Sequence, residues 1–169
     1  RIVSPKCDIY SLETKKMALK GQRYIDKCKI FNSVEEAISD CDLVLSTCGR
    51  IELSKDIECD SPEDISSWIS SYIHISNLAV LFGREDRGLS NSELILSQKI
   101  CNIKTSKNYP SLNLSHSVSI ILYELNKCSI KNEKKDLKVF NLASSKQITE
   151  SFLELEDMVI RTGYLLKHT

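Results

Sequence analysis

Glycine and proline are scarce in this 169-residue chain, at 5 and 3 residues. That excludes collagen-like and Pro/Gly-rich low-complexity chains. Long apolar runs are missing too: the longest plain one is Leu78–Phe82, far short of the ~20 residues that a membrane-spanning helix needs. No signal-peptide h-region lies near Arg1. Net charge is zero, with 23 basic and 23 acidic residues, which argues against strong whole-molecule steering to a polyanion. Cysteine is plentiful at 7, yet the count is odd and no C-x-x-C occurs. Neither a zinc knuckle nor a disulfide framework fits that spacing. The expectation is reduced thiols in a cytoplasmic protein, packed mostly as small hydrophobes. An initiating Met is also lacking. Arg1-Ile2-Val3-Ser4-Pro5 reads as a strand entered midway, so a preceding segment is expected.

What is present is ordinary globular composition, with 41% hydrophobic and 27% charged residues, enough for one well-formed core. Charge is unevenly placed. Arg1 to Lys29 holds eight basic and three acidic residues, Lys127 to Lys146 six and two, and Ser33 to His74 two and ten. Two basic stretches flanking an acidic one have the pattern of a phosphate-contacting face. Solvated surface is the commoner meaning of such runs.

Strands and helices alternate along the chain. Ile2-Val3 and Lys29–Phe31 read as short strands, and Ser11–Lys20 as a helix stopped by Gly21. Ser33 and Glu36 form a capping box before Val34, Ala37 and Ile38. Asp42–Thr47 is a buried strand by composition, and Leu78–Phe82 is the clearest one. Ser61-Pro62-Glu63-Asp64 opens a helix carrying Ile65, Trp68, Ile69 and Ile73, with Trp68 and Ile69 expected in the core or a dimer surface. Ser90 and Glu93 form a second capping box, and Ile100–Lys104 a further strand. A helix from Asn113 to about Cys128 places Leu114, Val118, Ile121, Leu122 and Leu125 on one face. After a charged linker, Ile148, Phe152, Leu155 and Val159 form a second helical stripe ending near Gly163. This pattern implies an α/β fold with a mostly parallel sheet and helices on both faces. The domain is expected to span 1–128, with 129–169 as linker and helical extension.

Two segments carry the chemistry. Phe82-Gly83-Arg84-Glu85-Asp86-Arg87-Gly88-Leu89 is a charged loop between a strand and a capped helix, with a glycine near each end. In open α/β sheets such loops bind ligands beyond the strand ends. It is neither a P-loop nor a dinucleotide fingerprint. Glu85 is a surface acid or an organiser accepting backbone N–H groups. Tyr109-Pro110-Ser111-Leu112-Asn113-Leu114 is the second segment, where Ser111 and Asn113 either cap the helix or touch a ligand. His116, one turn on, reads as a surface or packed histidine rather than a base.

Together the segments resemble the second and third motifs of the SPOUT RNA methyltransferases, in the TrmH-like 2′-O-ribose branch and most closely the TrmJ/LasT subgroup. The matching residues are Phe82-Gly83-Arg84-Glu85, Gly88-Leu89, Asn91 and Glu93-Leu94, then Tyr109, Ser111–Leu114, Val118 and Tyr123-Glu124. Thr47-Cys48-Gly49-Arg50 resembles the subgroup's Thr-Ser-Ala-Arg. The resemblance implies a deep trefoil knot in the C-terminal part of the sheet. It implies S-adenosyl-L-methionine as cofactor, held by Thr47, Cys48, Gly49, Gly83, Gly88, Ile103, Pro110, Ser111 and Leu112. Catalytic positions would be Ser111, Asn113 and Glu85. The expected substrate is RNA, most simply the anticodon loop of a tRNA, held by a homodimer without metal or membrane. The family's first motif carries an Asn and an Arg, and this sequence begins after it, so no residue here inherits that Arg role. Should the molecule start at Arg1, cofactor binding without methylation is expected. The alternative is therefore a non-catalytic RNA-binding homologue, and a generic nucleotide-binding α/β domain stands third.

Overall fold

A computed structural model of the chain describes residues 1–49, 58–72, 75–106, 112–131 and 142–162. In order these form β1 (Ile2–Val3), α1 (Leu12–Ala18), a 3-10 turn (Leu19–Gly21), α2 (Gln22–Asp26), β2 (Ile30–Phe31), α3 (Val34–Ile38) and β3 (Leu43–Thr47). They continue as α4 (Pro62–Ile69), β4 (Leu78–Leu81), α5 (Asn91–Leu94), β5 (Lys99–Cys101), α6 (Leu114–Lys131) and α7 (Ser145–Arg161). All strand pairings are parallel, as the alternation predicts, but they fall in two sheets: β1-β2 and β4-β3-β5.

β3 is the centre of the core. Leu43, Val44, Leu45 and Ser46 are all buried, because a strand with a neighbour on each edge and helices on each face has no exposed side. Alternate side chains serve opposite layers. Leu45 packs with Ile65 of α4, Cys101 of β5 and Ile121 of α6, with Trp68, Leu78 and Leu125 around them. Val44 packs with Ile38 and Cys41, joined by Ala79, Leu81 and Leu96. Trp68 is half-buried against this cluster, and its ring stands edge-on to Tyr72 at 5.2 Å.

Several expectations are corrected. β4 is half-buried along its length rather than the clearest buried strand, because it lies at the sheet edge. Gly21 does not stop the first helix. The α-helix ends at Ala18, and Leu19 takes the left-handed φ of 46°; Gly21 has an ordinary φ of −79° and leads into α2. The Ser33 box is one residue out of register: Ser33 Oγ accepts the Glu36 N–H at 3.1 Å, but Glu36 accepts from the Asn32 N–H at 3.0 Å. The Ser61 and Ser90 boxes are complete. The α6 stripe divides, with Ile121 buried and Leu122 exposed. In α7 the expected stripe is left uncovered, Phe152 and Leu155 being exposed. The start of α7 is anchored through the Ser145 N–H to the Cys41 carbonyl at 2.8 Å. Among the described residues no helix is long and apolar enough to cross a membrane.

Candidate active site

The three parallel strands of the larger sheet end level with one another. Thr47 sits opposite Cys101, and Ser46 opposite Leu81, so Phe82 leaves β4 at the height of Thr47. The chain moves from β3 to β4 on one side, then returns past β3 to β5 on the other. Connections that part in this way leave a crevice beyond the carboxyl ends of the strands.

A cleft of about 250 Å³ occupies that position. Thr47, Cys48 and Gly49 line it from the end of β3. Gly83, Glu85 and Gly88 line it from the loop after β4, and Ile103 and Leu112 from the chain between β5 and α6. Three stretches separated by tens of residues in sequence thus meet. Pro110 and Ser111 lie outside the described residues, and Asn113 is not part of the wall. Phe82, Leu89 and Leu114 complete an apolar lining that sequence motifs alone did not assign to it.

Cross-strand bonds hold the walls in register. Thr47 Oγ1 donates to the Leu81 carbonyl at 2.9 Å. The Cys48 N–H donates to the Cys101 carbonyl at 2.9 Å. Asn102 Nδ2 donates to the Cys48 carbonyl at 2.7 Å, and its own N–H reaches the Asp60 carbonyl at 3.0 Å. Lys99 Nζ lies 2.8 Å from the Asp60 carboxylate. Asn102 was invisible to motif reading; its one signal is a polar residue directly after a strand. Cys101 is buried in the wall, and burial pushes its thiol up to about 12, so it stays protonated and packs as an apolar group.

The loop after β4 is built on close backbone approach. A Cβ on Gly83 would lie 2.7 Å from the Gly88 Cα and closer still to the Gly88 carbonyl carbon and the Leu89 nitrogen. Glycine is needed there so that the loop can fold on itself. Gly88 has φ +70° and donates its N–H to the Arg84 carbonyl at 2.7 Å. Among the described residues, and chain neighbours apart, no atom lies within 4 Å of the Cβ positions of Gly49 and Gly88, so neither backbone is covered there by a described residue.

Glu85 is exposed and accepts no backbone N–H from a described residue. The organising carboxylate is Glu93, which accepts the Ser90 N–H at 2.6 Å and the Ser90 hydroxyl at 2.9 Å. The Ser90 backbone bond is the main cause that holds the Glu93 carboxyl below its usual range, with the Ser90 hydroxyl, Arg84 and Arg87 adding to it against the cost of burial. Asn113 caps α6. Its Oδ1 accepts the Ser115 N–H at 2.9 Å and hydroxyl at 2.6 Å, and its carbonyl accepts the His116 and Ser117 N–H groups at 3.1 Å. His116 is exposed and outside the cleft wall. The result is an apolar slot with backbone edges at Gly49 and Gly88 and the side chains of Arg84 and Arg87 at its charged loop. Such a slot suits a flat, partly apolar ligand held by shape and backbone polar groups.

Known proteins are similar to this chain in sequence and in fold. The sequence pattern of the SpoU rRNA Methylase family matches residues 1–123. The tRNA (cytidine-2′-O-)-methyltransferase TrmJ of Methanocaldococcus jannaschii is 33% identical over 141 residues, covering 82% of this chain and 60% of that protein. TrmJ of Sulfolobus acidocaldarius is 38% identical over 125 residues, covering 73% of this chain and 52% of that protein. This chain therefore aligns with between half and three fifths of those relatives' length. The crystal structure of TrmJ from Z. mobilis ZM4 superposes with a TM-score of 0.76 at 23% identity, covering 98% of this chain and 69% of that one. A probable methylase family protein from Haemophilus influenzae gives 0.67 at 27% identity, with 98% and 68% coverage. A parallel α/β core with the matched motifs brought around one cleft, and a family pattern running from Arg1 to Tyr123, lead to one assignment: the chain belongs to the SpoU rRNA methylase family.

Proposed function

We propose that this chain carries the cofactor-binding part of an S-adenosylmethionine-dependent RNA methyltransferase that transfers a methyl group to a ribose 2′-hydroxyl of tRNA. The observation that carries this reading is the convergence of Thr47–Gly49, Gly83–Gly88, Ile103 and Leu112 on one cleft. The relatives named for cytidine 2′-O-methylation of tRNA support the substrate class.

The residues fit the cofactor. Phe82, Leu89, Ile103 and Leu112 offer apolar walls for an adenine ring, and the backbone at Gly49 and Gly88 lies open for polar contacts. In this reading Thr47, Cys48, Gly49, Gly83, Gly88, Ile103, Pro110, Ser111 and Leu112 surround the nucleoside. When bound, the cofactor supplies a methyl group on a positively charged sulfur, open to in-line displacement. The protein's contribution is positioning and exclusion of water, which can account for much of the rate of such a displacement. Ser111, Asn113 and Glu85 form the RNA-facing side, Asn113 doing so while it caps α6. The ribose hydroxyl reacts once a neighbouring group takes or shares its proton.

Further parts of the reading concern the chain as a whole. In this reading the C-terminal part of the sheet is threaded into a deep trefoil knot, a rare topology. Residues 1–128 form the catalytic domain and 129–169 an extension. Two copies associate, with exposed Leu114, Leu122 and Tyr123 of α6 as the apolar part of the contact, and the enzyme works in the cytoplasm on a tRNA anticodon loop. The test has two readouts. Calorimetry with S-adenosylmethionine should show saturable binding that Leu112→Asp abolishes. Nucleoside mass spectrometry of unmodified tRNA incubated with protein and cofactor should show a new 2′-O-methylated nucleoside. Absence of cofactor binding overturns the reading; binding without methylation reduces it to a non-catalytic RNA-binding homologue.

A further inference from the structure

The segment from Lys6 to Lys29, which lies outside the cleft wall, has a composition the core does not explain. It contains seven cations (Lys6, Lys15, Lys16, Lys20, Arg23, Lys27 and Lys29) against three acids. No residue of α1, the 3-10 turn or α2 is buried; the nearest anchor is Ile9, buried just before α1. All seven cations except Lys15 are exposed. None forms an ion pair with a carboxylate among the described residues. Elsewhere several cations are paired, as at Lys99–Asp60, Lys127–Glu124 and Lys146–Glu150.

Flat side chains stand among these charges. Tyr10 and Tyr24 are 44% and 65% exposed. The Arg23 guanidinium lies 4.8 Å from the Tyr24 ring centroid and donates to its hydroxyl at 2.8 Å, so ring and cation are held together as one flat, positive surface. Unpaired cations interleaved with exposed aromatic faces are what a nucleic-acid backbone and its unstacked bases require. An anionic lipid surface would match the charge but would leave the tyrosine–arginine stack without a role. A second copy of the chain would bring seven like charges against seven.

We infer that the α1–α2 arm is an RNA-docking surface, with Lys16, Lys20 and Lys27 contacting phosphates and Tyr10 and Tyr24 stacking on bases. This inference rests on the reading of the protein as an RNA methyltransferase, and it adds where the RNA backbone is gripped outside the cleft. Docking there positions the substrate without touching the reacting atoms.

The experiment measures binding of an unmodified tRNA transcript to the full chain across a potassium chloride series. The variants are the triple Lys16→Gln, Lys20→Gln, Lys27→Gln and the double Tyr10→Ala, Tyr24→Ala. Loss of three phosphate contacts should lower affinity at low salt by about tenfold or more and make the log–log salt slope shallower by about 2 to 3. Loss of the tyrosines should lower affinity by about tenfold with the slope unchanged. S-adenosylmethionine binding by calorimetry should match wild type in both variants, which shows that the fold and cleft are intact. A triple variant that keeps wild-type affinity and slope overturns the inference while leaving the methyltransferase reading in place. A wild-type chain that binds phosphatidylserine vesicles but no tRNA overturns it too, as does a triple variant that changes oligomeric state in sedimentation. Docking through these residues without any methylation would uphold the inference and remove the catalytic reading instead.

Discussion

β3 and the α1–α2 arm use their apolar residues in opposite ways. Four of the five residues of β3 are fully enclosed, whereas Leu12, Met17, Leu19 and Tyr24 of the arm are all more than half exposed. The difference is one of neighbours. β3 has a strand on each edge and a helix layer on each face, so its backbone is fixed from four directions. The arm follows a two-residue strand paired on one edge only. A cleft that must hold a reacting group within a fraction of an ångström belongs on the first kind of support. A surface that contacts a flexible polyanion can stand on the second, because its energy comes from charge and stacking rather than from packing.

Truncation at the two places should break or sharpen this contrast most strongly. Leu45→Ala should cost about 3 to 4 kcal/mol in urea unfolding, since a wholly buried leucine leaves a cavity. Met17→Ala, at 84% exposure, should fall within about 0.5 kcal/mol of wild type. Similar losses at both sites would mean that the arm is packed in solution and that the contrast is false.

Gly83→Val should come next, with about 2 to 3 kcal/mol lost through overpacking and S-adenosylmethionine affinity lowered at least tenfold. The added side chain meets Gly88 and Leu89 before it meets any ligand. An unchanged Tm with lost affinity would place the clash on the cofactor instead.

Asn113→Ala should cost about 1 kcal/mol, the usual price of a lost N-cap, and Asn113→Asp should recover most of it. A variant of full stability but without methylation activity would show a role beyond capping.

The smallest effect should be seen in the pH dependence. Glu93 has a folded pKa below its ordinary value of 4.5, so it binds protons more weakly in the folded state. Its contribution to stability is fully present above pH 4.5 and is lost as the pH falls through the folded value. Thermal melts of wild type and Glu93→Gln should therefore differ most above about pH 5 and converge in acid. A gap that widens on acidification would contradict the capping geometry at Ser90.

Much of the site was legible because its signals are local. Ser61 and Ser90 announce their helices through partners three residues away, and the glycine-bounded loop after β4 is a contiguous motif. Eight of the residues expected around the cofactor or substrate do line the cleft: Thr47, Cys48, Gly49, Gly83, Glu85, Gly88, Ile103 and Leu112. What escaped the sequence depends on distant neighbours. Glu85, between two glycines, could be read as a surface acid or as the loop's organiser; it is exposed, and the organising bonds go to Glu93. The close return of the turn at Gly88 onto Gly83 likewise has no mark in the linear motif. The stripe on α7 has helical spacing, which says where apolar side chains lie but not whether anything covers them.

The alternation of strands and helices and the capping boxes at Ser61 and Ser90 were determined by the sequence alone, because each depends on propensity or on hydrogen bonds spanning three or four residues. Only the tertiary structure decided that β3 rather than β4 would be the enclosed strand, and that Asn102 would fasten the carbonyl of Cys48, 54 positions earlier in the chain. Enclosure and long-range pairing depend on which segments become neighbours in space, and a linear pattern of apolar and polar residues carries no record of that adjacency.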